Sequence, residues 1–140
     1  MIMKISLLFI FLLGGLHLGF SQEVQNPETT PYNYVEMEKE FDLLVDVSFV
    51  NPECSDKKVN YYSVIIGTAV IGENIERITV LVPCLGNEFV QGDLITIKSL
   101  KTPKKNIAYL SRTFQRGEEE VVQILGSEFR ATWGEVIKIL

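Results

Sequence analysis

The chain has 140 residues, of which 46% are hydrophobic and 22% charged, with a formal net charge of −5, two cysteines and one histidine. That length holds one domain, and the balance of charge and apolar residues excludes a disordered or collagen-like chain. A net negative charge also disfavours nonspecific contact with nucleic acid or anionic membranes, both of which need a basic surface.

The chain opens Met1-Ile-Met-Lys4, followed by an apolar run from Ile5 to Phe20 of about 16 residues, and then Ser21-Gln22-Glu23. A positive charge, an apolar stretch and small residues at Gly19 and Ser21 are the three parts of a secretory signal. The run is shorter than the ~20 residues that span a bilayer, and Gly14, Gly15 and His17 interrupt it, so a membrane anchor is the weaker reading. The expectation is cleavage after Ser21 (residues 1–21) and an exported, periplasmic or extracellular protein without a membrane anchor. Loss of Lys4 would then move the net charge from −5 to about −6.

Cleavage would also remove His17, the single histidine. A chain without imidazole has no Ser-His-Asp or Cys-His nucleophile system, no His-based metal site and no histidine proton shuttle. No Gly-rich phosphate loop or dinucleotide fingerprint appears either. The sequence therefore points to no cofactor, no metal and no catalytic constellation.

Residues 22–40 read as a polar leader, with Pro27 and Pro31 and no apolar period at first. Tyr34, Met37 and Phe41 lie at helical spacing, in a Glu-rich stretch that equally suits the approach to a strand. From Phe41 to Phe49 the apolar residues alternate, with Phe41, Leu43, Val45, Val47 and Phe49 on one face. Asn51-Pro52-Glu53 breaks the chain. Val59 to Ile71 is apolar on both faces, the mark of a central, covered strand, and Ile75 to Val82 reads as its return.

Leu94 to Leu100 gives a further strand, with Ile95 and Ile97 inward and Thr96 and Lys98 outward. Ile107 to Phe114 is another, and Glu119 to Leu125 fits a strand or a helical turn. Phe129 to Leu140 closes the sequence with Phe129, Ala131, Trp133, Ile137 and Ile139 on one parity. Glu135 interrupts that face beside Gly134, which hints at a bulge. Residues 41–140 thus read as one all-β domain, with at most one short helix before it. The expected architecture is a small barrel, OB-like or SH3-like, with a small β-sandwich as the alternative.

In an exported chain Cys54 and Cys84 are expected to form a disulfide, free thiols being the alternative; their spacing does not suit zinc. With the hairpin turn centred on Gly72–Asn74, Cys84 should face Tyr62 and lie near the loop that carries Cys54. Glu118-Glu119-Glu120 is the densest acidic cluster and lacks the pattern of a calcium loop, so it reads as a solvated turn. Two groups are candidate ligand contacts. Tyr61 and Tyr62 are adjacent, so one of them must leave the barrel core; Lys98, Lys101, Lys104 and Lys105 could hold an acidic ligand or simply protect an edge. The leading expectation is a noncatalytic exported domain that binds a protein or glycan of the envelope. A histidine-free hydrolase working through an Asp/Glu pair and a small inhibitor or immunity protein that captures a basic partner are the alternatives.

Overall fold

A computed structural model of the chain describes residues 19–25, 31–54, 60–85, 88–101 and 107–140. Their regular structure is all strand: β1 (Gly19–Gln25), β2 (Asn33–Tyr34), β3 (Glu40–Phe49), β4 (Asn60–Ile71), β5 (Asn74–Pro83), β6 (Leu94–Leu100), β7 (Ile107–Arg116), β8 (Glu119–Ile124) and β9 (Arg130–Ile139). The helical spacing of Tyr34, Met37 and Phe41 is not realised. The backbone there is committed to neighbouring strands instead, with the Val35 N–H donating to the Ala131 carbonyl and the Ser99 N–H to the Lys39 carbonyl. Residues held that way have no groups left for an i→i−4 ladder.

Five strands close on themselves. β3 pairs with β4, β4 with β5, β5 with β9, β9 with β6, and β6 returns to β3. The β5–β9 contact is parallel and the other four are antiparallel, so the barrel is a Greek key rather than a plain meander. Of the two barrel types expected, this order is the OB-like one.

The interior is filled by Phe41, Leu43 and Val45 of β3, Ile65 and Ala69 of β4, Ile78, Val80 and Val82 of β5, and Ile95 and Ile97 of β6. The opposite faces of β4, β5 and β9 carry a second apolar set: Tyr62, Val64, Ile66, Leu81, Ala131 and Trp133. β7 and β8 cover it with Tyr109, Leu110 and Ile124, and Leu125 follows in the next turn. β7 also pairs with β1 along one edge and meets the start of β4 at Asn60↔Ile107 and Tyr61↔Ala108. β4 is therefore covered on both sides, as its apolar composition required.

Two bulges break the simple alternation. Between Val45 and Val47 the β3–β4 register shifts, so Val47 and Phe49 turn from the barrel interior to the outer apolar set. The interior face of β3 thus holds Phe41, Leu43 and Val45 only. In β9 the register jumps from Thr96↔Lys138 to Ile97↔Val136, which leaves Ile137 unopposed. Val136 keeps the inward parity of Gly134, whose Cβ position faces Ile97 and Val80, while Ile137 and Ile139 at the end of the strand are exposed. In β3 the extra residue is what changes the face.

Two glycines allow the barrel to bend tightly. A Cβ on Gly67 would run into the Leu44 carbonyl oxygen and the Leu43 side chain, and one on Gly134 into the Ile97 side chain. The hairpin between β4 and β5 turns on two residues, Gly72 and Glu73, with Gly72 at φ 64°. Tyr62 accordingly faces Pro83, and Cys84 lies one residue further on, its N–H donating to the Tyr61 carbonyl at 3.4 Å. The expected pairing of Tyr62 with Cys84 is off by that one residue, because the loop is shorter by one than a turn centred on Gly72–Asn74.

Cys54 and Cys84 form a disulfide with a Cα–Cα distance of 5.5 Å. It joins the β3–β4 loop to the segment after β5. Beside it the buried Ser63 hydroxyl accepts the Asn51 N–H at 3.2 Å and the Leu85 N–H at 3.3 Å, tying the same two segments from inside. Replacing both cysteines by alanine is expected to lower unfolding free energy by about 3 kcal/mol, read as a drop in the urea midpoint. Gly67→Ala should cost about 2–3 kcal/mol by overpacking against backbone. Gly72→Ala, which meets nothing within 4 Å and has only its positive φ to resist it, should cost about 1 kcal/mol in the same assay.

Candidate binding groove

The outer apolar set contains five aromatic rings in mutual contact. Tyr62 meets Trp133 edge-on at 4.6 Å, Tyr34 stacks on Trp133 at 5.5 Å, and Tyr32 lies 5.3 Å from Tyr109. Tyr62 is one of the two candidate contacts in the Tyr61–Tyr62 pair, and the structure places it in this core at 5% exposure. Tyr61 is half-buried beside β7. Tyr62 does leave the barrel interior, as adjacency demands, but the β7–β8 hairpin and residues 32–34 cover it. The segment before the barrel is thus fixed by packing, and the Tyr32 hydroxyl donates to the Leu125 carbonyl at 2.6 Å.

Of the four candidate lysines, Lys98 and Lys101 fall among the described residues. Lys98 is exposed on β6, and its rung neighbours are Glu40 of β3 and Glu135 of β9, so it sits in a row of alternating charge. Lys101 is exposed just beyond β6. Lys104 and Lys105 lie outside the described residues. Glu118, Glu119 and Glu120 are exposed at the β7–β8 turn.

A concavity among the described residues lies elsewhere. The β3–β4 ladder has its last rung at Leu44↔Thr68, so Glu40–Leu43 and Ala69–Ile71 flank the barrel seam without a rung between them. A groove of about 510 Å³ occupies this gap. Met37, Phe41, Val70 and Ile71 are its apolar lining, together with Gly72 and Thr96. Its polar groups are Glu36, Glu38, Glu40 and Asp42, with no Lys or Arg among the lining residues.

Glu40 and Asp42 stand at alternate positions of β3, and Glu36 and Glu38 in the irregular segment that bends at Lys39 to enter it. The intervening Met37 and Phe41 pack against the barrel interior, while Glu36, Glu38, Glu40 and Asp42 are exposed. The Thr96 hydroxyl donates to Asp42 Oδ1 at 2.8 Å, which holds one of them in place. The carboxylates are spread along the groove rather than gathered: among the described residues, no three His, Cys, Asp or Glu side chains come close enough to hold a metal ion. Sequence reading passed over this group in favour of Glu118–Glu120. The signal in the sequence is the density of acidic residues from Glu36 to Asp42, just ahead of and within the first barrel strand.

No protein-family model, no curated protein and no solved structure matches the chain. What can be said of the site therefore rests on its own geometry.

Burial, reinforced by the neighbouring Tyr109 and Glu128, raises the Tyr32 phenol well above its ordinary 10.0. In the unfolded chain the phenol loses its proton near the ordinary value while the folded chain still keeps it, so stability is complete below about pH 10 and falls as pH rises above that. Tyr32→Phe removes this dependence. The variant should be about 1 kcal/mol less stable at neutral pH through loss of the bond to Leu125, and the gap should narrow above pH 10 in parallel thermal melts.

Proposed function

We propose that the chain is a noncatalytic binding domain that works outside the cytoplasm and holds a basic segment of a partner protein in the seam groove. The observation that carries this reading is the groove itself, with four carboxylates on apolar walls and no cation in its lining. The Cys54–Cys84 disulfide is compatible with an oxidising, exported compartment, and the N-terminal signal pattern supports the same address. A net negative chain also attracts a basic partner over distances beyond direct contact.

A glycan is the weaker choice, because the faces that would stack on sugar rings are turned elsewhere: Trp133 and Tyr62 are buried in the outer apolar set. The hydrolase alternative also finds less support. All four groove carboxylates are exposed, and no Asp or Glu is fully buried among the described residues, whereas glycosidases rely on a desolvated carboxylic acid for protonating the leaving group. Capture of a basic partner, in the manner of an inhibitor or immunity protein, fits both the groove and the overall charge.

The test is calorimetric titration with a lysine-rich peptide and with its glutamate counterpart, at low and high salt. The basic peptide is expected to bind and the acidic one to stay free, with affinity falling as salt rises. Glu36→Lys/Glu38→Lys, both exposed positions, should abolish binding without changing the thermal midpoint. Equal binding by that variant would remove the groove from the reading.

A further inference from the structure

We infer that the chain associates with a second copy of itself through the outer face of β3, β6 and β9, about a two-fold axis that runs along β6. This is separate from what the seam groove holds, and of the groove's four carboxylates it uses Asp42 alone.

Register builds the face. Leu94 of β6 stands opposite Leu44 of β3, and the Leu140 N–H donates to the Leu94 carbonyl at 2.9 Å, one step beyond the Ile95↔Ile139 rung. Residues directly opposite one another in a ladder point to the same face, so the three leucines form one row across three strands. Their sequence neighbours Leu43 and Ile95 fill the barrel, which turns the row outward. Water reaches all of it: Leu44 is 48% exposed, Leu94 38% and Leu140 55%. An exposed leucine standing alone needs no explanation, whereas a continuous apolar row beside a polar one is the mark of a protein-binding surface.

Charge identifies the occupant. The next outward rung consists of Asp42, Thr96 and Lys138, with the acid and the base exposed on the two flanking strands and Thr96 between them. A two-fold axis along β6 exchanges the flanks. A second copy laid face to face about this axis sets its Lys138 over Asp42, its Asp42 over Lys138 and its Leu140 over Leu44, while Leu94 meets its own counterpart. One symmetry operation thus supplies both ion pairs and the apolar contacts, as a self-complementary dimer requires. The alternative axis, along the leucine row, pairs neither charge. The contact ends at this rung, because the next one, Glu40, Lys98 and Glu135, would set glutamate against glutamate and lysine against lysine. A face of this extent is small, so association is weak and depends on protein concentration.

The test is sedimentation equilibrium of the exported chain, its disulfide intact, from about 5 to 500 μM. The expected result is a monomer at the low end and a dimer at the high end. Asp42→Lys and Lys138→Asp should each weaken the dimer about tenfold, because either change turns two symmetric attractions into repulsions. The double exchange Asp42→Lys/Lys138→Asp should restore it, which also shows that the single variants fold. Leu94→Lys sets two charges face to face on the axis and should abolish the dimer, while Val122→Lys, at an exposed position on β8, should leave it intact. A chain that stays monomeric throughout overturns the inference and leaves the leucine row to another occupant. A dimer that tolerates Leu94→Lys, or that the double exchange fails to restore, overturns it equally.

Discussion

The two-sided burial of β4 is the constraint from which the rest of this structure follows. Its odd-numbered residues Ile65 and Ala69 fill the barrel, while Tyr62, Val64 and Ile66 point the other way and are equally apolar. A five-stranded barrel alone would leave that outer set in water, at a cost of about 1.5–3 kcal/mol for each large side chain. The chain meets the requirement with a second layer inserted between β6 and β9, the β7–β8 hairpin, together with the aromatic residues that precede β3. The bulge in β3 serves the same end by sending Val47 and Phe49 to the outer layer.

The aromatic rings are spent on internal packing, and Lys98 is flanked by glutamates. The seam between β3 and β4 is left open below Leu44↔Thr68, because Gly67 draws the strands together just above that point while the hairpin tip diverges. The groove is thus a by-product of barrel curvature, and the acidic segment that enters β3 lines it. Architecture and charge coincide at this one place.

Much of the fold was legible because the signals were local. Gly72 marked the β4–β5 turn, Leu94–Leu100 alternated cleanly, and Cys54 and Cys84 flanked a hairpin that could bring them together. Faces beyond a bulge were not legible: one extra residue reverses the inward set, and nothing in Val47 or Ile139 announces on which side of the insertion it lies. Nor could the sequence separate an interior aromatic from one buried under a second layer, since Tyr62 is equally apolar in either case. The groove stayed hidden for a related reason. Glu36 to Asp42 is a plain acidic run until the chain direction is known, and the helical spacing of Tyr34, Met37 and Phe41 competed with the period-two reading of the same residues.

The position of the disulfide has a consequence for the order in which the protein is assembled. Cys54 lies in the β3–β4 loop and Cys84 just after β5, 30 residues apart, whereas the strand that shuts the barrel is β9, whose parallel contact reaches from Arg130 back to Ile78. A chain that emerges N-terminus first exposes the whole meander and both thiols well before β9 arrives. Oxidation at that stage shortens the unfolded loop and holds β4 and β5 in register while the slower, long-range closure is completed. The covalent link then acts as a template for the last strand, so that the open edge of β5 persists only as long as the chain is still being delivered.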